Sequence, residues 1–394
     1  MIALQTIFWV SAGAMFYSYV LYPIITIILS AGKKFSTAPS TAVELPRVFI
    51  LFAAYNEEAV IGKKLQTIAD SDYPADKVHV WVGSDASTDN TDRIIREFTA
   101  RLSNLRLFRF DDRTGKAGIL NALNSQYQAM GMQGDLLILT DANVMFSIDT
   151  IRQLATSFSD PKVGLVGATI LNTEVHGGIS GSEKAYITRE NHIKYREGLI
   201  WGAVMGAFGA GYAIRAELFP TIPSNFLMED FYVTMHVLRM RLKAVMNPKA
   251  ICYEDVPASI GEEFKRKKRI SAGNFQNLSR YWKMLWPPWS GVAFAFLSHK
   301  VLRWIGPLFL FAAFVSSAIL ASQGFLYLVF FLIQAVLLLV ALVDIGLQKA
   351  RIPTGPMRFI SYFCAMNAAL LAGFILYWRG VSSSVWKPTE RALS

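Results

Sequence analysis

Cysteine is almost missing from this chain: Cys252 and Cys364 are the only two in 394 residues, and they lie far apart. That excludes a disulfide framework and a cysteine metal pair, and it fits a reducing compartment. Histidine is sparse as well. His79, His176, His192, His236 and His299 show no ligand spacing, so a histidine-built metal centre is not expected. Acidic residues are outnumbered, 29 against 39 Lys and Arg, for a net charge of +10. No compact mixture of aromatic and basic residues accompanies that excess, so nucleic acid is not an expected partner. Internal repeats, low-complexity stretches and the spacing of a P-loop are absent too. What abounds is apolar: 53% of the residues are hydrophobic and the mean hydropathy is +0.33, high for a chain solvated by water alone.

The apolar excess is concentrated at the ends. Residues 2–30 form an uncharged run longer than the roughly 20 residues a bilayer requires, with Lys33 and Lys34 immediately after it. A cleaved signal peptide would start with a basic region and be shorter; this run carries Trp9, Tyr17, Tyr19, Tyr22 and Pro23, and is read as a retained span. Three further runs follow at 306–321, 325–343 and 359–377. Lys349, Arg351 and Arg358 lie in the second joint and no charge in the first, so the positive-inside bias puts the second joint in the cytoplasm and the first outside. The same bias keeps the middle of the chain inside. Four crossings would then carry the tail outside, against the sign of Arg379, Lys387 and Arg391, so a re-entrant last segment is the alternative. Residues 299–304 have the basic and aromatic mix of a helix at a membrane surface. The expected organisation is a membrane helix at 1–34, a catalytic domain at 46–280, an interfacial region at 281–305, about three membrane helices at 306–380 and a tail at 381–394.

In the middle, strand-length apolar runs at 48–54, 78–83, 105–110, 135–140 and 163–170 alternate with helical patterns at 57–69, 89–100, 115–130 and 148–158. Such alternation predicts an α/β domain with a mostly parallel sheet covered on both faces, whose ligands bind beyond the carboxyl ends of the strands. Four motifs fall at those ends. Tyr55-Asn56-Glu57 follows the first strand, Ser84-Asp85 the second, Arg113 to Lys116 the third and Asp141-Ala142-Asn143 the fourth.

Each motif has a structural use beside a chemical one. Ser84 to Asp89 opens a helix, and Thr88 or Asp89 suits its N-cap, whereas Asp85 precedes the cap and is a candidate acceptor for a base or ribose group. Gly115 and Gly118 let backbone approach phosphate oxygens while Lys116 supplies charge. Asp141, with Asn143 as a poorer neutral ligand, offers oxygen to a hard divalent ion on a diphosphate. Glu229 and Asp230 open a helix, where acids also suit its dipole; Asp230 becomes a candidate base in the company of the other motifs. Arg266 and Arg269 share a helix face, either as a juxtamembrane basic patch or as cations for a diphosphate. The small residues from Gly206 to Gly211 suggest a wall where substrate passes close to backbone.

Taken together, these motifs resemble the membrane-bound family 2 glycosyltransferases, the group that includes cellulose, hyaluronan, chitin-oligosaccharide and poly-N-acetylglucosamine synthases. The resemblance runs from about Val48 to Gln276. The family's Pro-x-Tyr-Asn-Glu is similar to Ala53-Ala54-Tyr55-Asn56-Glu57, with Ala53 in place of proline; its Asp-Asp-Gly-Ser-Thr-Asp is similar to Ser84 to Asp89, with Asp85 the retained acid. Lys116-Ala117-Gly118, Asp141-Ala142-Asn143 and Glu229-Asp230 match the Lys-Ala-Gly, Asp-x-Asp and Glu-Asp elements, and Arg266-x-x-Arg269-Ile270 stands where the family has Gln-x-x-Arg-Trp.

The resemblance implies a GT-A, Rossmann-like catalytic domain joined to α-helical membrane segments, with the catalytic domain on the cytoplasmic face of the inner membrane. It implies an inverting hexosyltransferase with Asp230 as base and Glu229 beside it. Ala53, Tyr55, Glu57, Asp85, Arg113, Lys116, Asp141, Arg266 and Arg269 would hold a UDP-sugar, and Asp141 with Asn143 would hold Mg²⁺ or Mn²⁺. A lipid-linked or glycan hydroxyl is the implied acceptor, with exopolysaccharide-assembly proteins as further partners. Ile270 cannot stack on an acceptor sugar as the family's Trp does, which favours single transfer over processive extension. A sugar-nucleotide-binding scaffold without catalysis is the reading of another class, motivated by Ser84, Asn143 and Ile270.

Overall fold

The computed structural model describes residues 1–35, 44–173, 180–255, 260–350, 352, 354–355 and 357–385. The chain divides into two compact units: residues 30–175, 184–256 and 381–394 form one, and residues 1–29, 176–183 and 257–380 form the other.

The first unit is built on a mixed sheet with eight strands among the described residues: β1 (Val48–Ala54), β2 (Val78–Asp85), β3 (Leu105–Phe110), β4 (Leu136–Thr140), β5 (Met145–Phe146), β6 (Val163–Asn172), β7 (Gly211–Arg215) and β8 (Lys243–Glu254). Their spatial order is β3-β2-β1-β4-β7-β6-β8-β5. β1 pairs in parallel with β2 and β4, β2 with β3, and β6 with β8, while β7 runs against β4 and β6, and β5 against β8. Six strands thus share one direction, as the alternation predicts. Every residue of β1 and β4 is buried, the mark of strands covered on both faces. β5, β7 and β8 add to the sheet beyond the strands read from the alternation.

Register brings the motif ends level. Ala54 pairs with Ser84, Asp85 with Phe110, and Thr140 with Gly211. β2 runs two residues further than expected, so Asp85 is its last residue rather than part of the following loop. The helix after it is Thr91–Glu97, and its amide at Thr91 donates to Asp89 Oδ1 at 3.0 Å. Asp89 therefore takes a capping role from just outside the helix. At the opposite edge, Asp135 is clamped by Arg47 at 2.9 Å and by the Tyr127 hydroxyl at 3.0 Å.

The second unit contains four helices long and apolar enough to cross a membrane: Ile2–Ser30, Gly306–Gln323, Phe325–Gln348 and Met357–Trp378. Ile2–Ser30 packs antiparallel to the stretch from Gly291 to Gln323. Phe8 meets Ala313 and Leu320, Tyr17 shares a 2.8 Å hydrogen bond with Ser298 Oγ, and Ser18 Oγ donates to the Ser298 carbonyl at 3.0 Å. Hydroxyl bonds of this kind satisfy polar groups where lipid offers no partner. His299 and Trp304 are buried in this packing, so the surface aromatics lie earlier than the 299–304 pattern suggests, at Trp282, Trp286 and Trp289.

A Cβ at Gly83 in β2 would come within 2.2 Å of Ile119 Cγ2. Gly83→Ala is expected to destabilise the sheet unit by about 1–3 kcal/mol through overpacking, and Ile119→Ala to recover part of the loss in the double variant. Thermal unfolding of the detergent-solubilised proteins checks both.

Candidate active site

The carboxyl edge of β2 carries a carboxylate with no exposure to solvent. Asp85 accepts from Arg113 Nε at 2.9 Å, from the Thr114 amide at 2.5 Å and, less closely, from the Gly115 amide at 3.3 Å. Gly115 has φ +80, a left-handed conformation that lets its amide turn toward Asp85. The Arg113 guanidinium lies 3.3 Å from the centre of the Tyr55 ring, so Tyr55, Arg113 and Asp85 form one stacked and charged wall. Asn56 and Ala86 both have positive φ at the exits of neighbouring strands. Their loops are laced together: the Thr88 amide donates to Asn56 Oδ1 at 2.8 Å, and the Glu57 amide to Thr91 Oγ1 at 2.8 Å. Ser84 serves this lacing, donating to Asp92 and sharing a hydrogen bond with Ser87 Oγ. Glu57 is buried within the loops, and Ala53 is buried inside β1 opposite Gly83.

A second group centres on Lys116. Its ammonium donates to Asp141 Oδ1 at 2.5 Å and pairs with Glu229, bridging the ends of β4 and of the Glu229–Arg239 helix. Burial alone would lower the Lys116 ammonium; the two carboxylates outweigh it and hold it above the ordinary lysine value. Asp230 follows Glu229, is 8% exposed, and accepts from the Phe231 amide at 2.7 Å. Burial, reinforced by the Glu229 charge and opposed by Lys116 and Lys194, pushes its carboxyl from 3.8 up to about 6. A Cβ at Gly209 would lie 3.1 Å from Asp230 Oδ2, so the small-residue stretch does bring backbone against this carboxylate. Gly206, at φ +78, leaves its space to the Phe231 ring in the same way.

Asp85, Arg113, Lys116, Asp141, Glu229 and Asp230 thus lie in one unit at one edge of its sheet. Asn143 stands two residues beyond Asp141, partly exposed. Arg266 and Arg269 belong to the Ile260–Tyr281 helix of the other unit, where Arg266 lies 3.7 Å from Glu263 and 4.0 Å from Glu183.

No group of three or more His, Cys, Asp or Glu side chains with metal-ligand placement occurs among the described residues. A cage made of protein alone is therefore absent there. The donor chemistry still fits Mg²⁺ or Mn²⁺ in another way: Asp141 and Glu229 already draw one cation between them, and Mg²⁺ is commonly held by one or two carboxylates with phosphate and water completing the shell.

Three buried groups gave no signal in the sequence. Lys64 has no solvent exposure; its ammonium sits 3.5 Å from the Phe146 ring centre and donates to Thr140 Oγ1 at 3.1 Å. Thr140 in turn donates to the Ala210 carbonyl at 2.7 Å, tying the residue before Asp141 to the residue after Gly209. Lys194 lies 3.2 Å from the Phe208 ring centre, and its charge acts on Asp230. Tyr212 is buried, and its hydroxyl is raised by burial and by the charges of Glu229, Asp230 and Asp141. In the sequence Lys64 is half of a Lys63-Lys64 pair on an amphipathic helix, and only packing reveals which lysine turns inward.

An eight-stranded mixed sheet with carboxylates gathered at its carboxyl edge and a helix opening on Glu-Asp defines a GT-A-type catalytic domain. The sequence matches glycosyltransferase-like family 2 over residues 46–273, and the chain belongs to that family. It is 26% identical over 258 residues to the beta-monoglucosyldiacylglycerol synthase of Synechocystis sp., covering 63% of this chain and 52% of that protein. With the poly-beta-1,6-N-acetyl-D-glucosamine synthase of Staphylococcus epidermidis it shares 24% over 291 residues, 71% of this chain and 66% of the relative. The chain spans about half the length of the first of these curated relatives. Among solved structures, the mannosyltransferase PcManGT from Pyrobaculum calidifontis, in complex with GDP-Man and Mn²⁺, is similar over 95% of this chain and 99% of its own, with a TM-score of 0.70 and 25% identity.

Two titrations are expected. The folded state holds the Asp230 proton more tightly than the unfolded chain, so its contribution to stability falls as pH rises from about 4 to about 6, by on the order of 2–3 kcal/mol. Asp230→Asn should therefore raise the melting temperature at pH 8 and leave it little changed at pH 4. For Lys64, burial lowers the ammonium to about 7. Between about pH 7 and 10 the unfolded chain binds a proton that the folded one has shed, so stability should rise with pH across that window, and Lys64→Met should flatten the rise.

Proposed function

We propose that this protein is a membrane-bound inverting glycosyltransferase that moves a sugar from a nucleotide diphosphate, uridine-linked, to a hydroxyl of a lipid-linked or glycan acceptor. The observation that carries this reading is the position of Asp230. It is a buried carboxylate with its proton affinity raised toward neutrality, facing a backbone cleared of side chains at Gly209, on the same sheet edge as the Asp85 and Lys116 groups.

In this reading Asp85 and Arg113 engage the nucleoside, with the Tyr55 ring bracing the guanidinium. Lys116 changes partners from carboxylates to diphosphate oxygens, a shift its length allows. Asp141, with Glu229 or Asn143 nearby, would hold Mg²⁺ or Mn²⁺, which when bound neutralises developing charge on the departing diphosphate. Asp230 accepts the proton of the attacking hydroxyl as that oxygen forms its bond to the anomeric carbon and the bond to the diphosphate breaks on the other face; one displacement inverts the centre. Tyr55, Arg113 and the closed loops around Glu57 keep water from the nucleoside side.

Glycolipid formation is favoured over polymer extension because Ile270 presents an aliphatic side chain where a stacking ring would grip a growing glycan. The glucosyldiacylglycerol synthase among the relatives points the same way, and the poly-N-acetylglucosamine synthase points to the rival product. The catalytic unit is assigned to the cytoplasmic face of the inner membrane, where nucleotide sugars are made, and exopolysaccharide-assembly proteins would be partners under the rival reading.

The test is a panel of UDP- and GDP-sugars offered to the protein in nanodiscs, with and without lipid extract, following nucleotide release and product length. Release is expected to need Mg²⁺ or Mn²⁺, to rise through about pH 6 as Asp230 deprotonates, and to yield one-sugar lipid products. Asp230→Asn should lower turnover about 10²- to 10⁴-fold with donor affinity retained. A ladder of long chains would move the assignment to polymer synthesis, and tight donor binding without turnover in the unaltered protein would move it to a scaffold.

A further inference from the structure

The catalytic unit reclaims the chain after the last apolar helix. Residues 381–385 belong to that unit, where Asn225 Nδ2 donates to the Val381 carbonyl at 3.1 Å and Ser384 packs on Gly115, its Oγ 2.7 Å from where a Cβ would stand. A folded, water-soluble unit lies on one side of a bilayer, because its polar loops and sheet edges find no partners in hydrocarbon. The chain leaves that unit at residue 256 and re-enters it at Val381. It must therefore cross the membrane an even number of times in between. Three candidate spans occupy that interval, so at least one of them does not cross.

The geometry points to Met357–Trp378. Gly306–Gln323 is held antiparallel to Ile2–Ser30 through Phe8 and Met15, and Phe325–Gln348 is the most apolar of the four, with mean hydropathy 2.9. Met357–Trp378 instead packs along the basic helix Ile260–Tyr281. Ser271 Oγ donates to the Leu370 carbonyl at 2.7 Å, a Cβ on Gly373 would lie 2.4 Å from the Lys268 carbonyl, and the Phe275 ring meets Phe374 at 4.8 Å and Tyr377 at 6.0 Å. Were Met357–Trp378 upright across the bilayer, its second half would carry Lys268, Arg269, Asn274, Gln276 and Asn277 into the far leaflet. Each charge at that depth costs about 2.5–3.5 kcal/mol. Asn367, halfway along, would sit at the bilayer centre. Arg358 and Arg379 flank the two ends of the helix with the same sign, as expected of ends on one face.

We propose that Met357–Trp378 lies in the leaflet on the catalytic side without crossing, its outward side chains Phe359, Phe363, Leu371, Ile375 and Trp378 buried in lipid, and that the chain from residue 381 onward is on the side of the catalytic unit. The exposed indoles of Trp282, Trp286 and Trp289, with Arg280 and Lys283 between and beside them, follow the Ile260–Tyr281 helix and suit the headgroup layer of that same leaflet. The arrangement also removes the charge conflict of a four-crossing chain, since Arg379, Lys387 and Arg391 then lie on the positive side.

The test is cysteine labelling of the full chain in intact cells. In a Cys364→Ala background, with Cys252 buried, single cysteines replace Ser103 in the catalytic unit, Gln323, Gly355 and Ser382. A membrane-impermeant maleimide is expected to divide them into two classes, with Gln323→Cys alone on one side and Ser103→Cys, Gly355→Cys and Ser382→Cys together on the other, revealed by labelling before or after permeabilisation. Ser382→Cys on the side opposite Ser103→Cys overturns the proposal. So does Gln323→Cys on the same side as Ser103→Cys. Nucleotide release by each variant verifies that the labelled protein is folded, and the outcome does not depend on which sugar is transferred.

Discussion

The half-buried ammonium of Lys116, paired with Asp141 and Glu229, is the constraint on which the edge of the sheet depends. Asp141, Glu229 and Asp230 come from two separate elements and face a common space; without a cation among them, their mutual repulsion and desolvation would oppose folding. Lys116 solves this for Asp141 and Glu229 and leaves Asp230 partly uncompensated. The residue with the raised proton affinity is thus the one that the lysine does not touch directly. Ion pairing and raised proton affinity are divided between adjacent carboxylates by a single side chain.

Around that charge, the two ends of the site differ in stiffness. On the side of Asp85, strand exits are held by short side-chain bonds: Asn56 to Thr88, Glu57 to Thr91, Arg113 to Asp85. On the side of Asp230, the wall is made of Gly206, Ala207, Gly209 and Ala210, positioned by Lys64 through Thr140 and by Thr234, whose hydroxyl accepts from the Ala207 amide at 3.0 Å. Order there comes from behind the wall, and only Gly209 leaves backbone directly against Asp230.

Much of this was legible before any coordinates. The strands at 48–54 and 105–110 have the observed bounds, the first because a run buried on both faces is unbroken in hydropathy, the second because its Leu and Phe residues stop at the Asp111-Asp112 pair. The motifs fell at strand exits because glycine, asparagine and aspartate mark those exits. β5, β7 and β8 were not read, since β5 has two residues, β7 is five long beside a glycine-rich stretch, and β8 mixes exposed and buried positions. The Ser180–Trp201 helix escaped for want of a clear apolar stripe, its charged residues being spread around it. Lys64 and Lys194 were illegible for a deeper reason: burial of a lysine depends on rings and hydroxyls supplied by distant segments.

The contrast between a braced Asp85 edge and a wall of small residues has a bearing on how such enzymes diversify. Under the proposed function, a side chain at Gly209 would reshape the space beside Asp230 while the bonds around Asp85 stay intact, so new acceptors would be within reach of single substitutions. A change at Asp85 or Arg113, in contrast, unfastens several neighbours together. Divergence should therefore be quick at one end of this pocket and slow at the other.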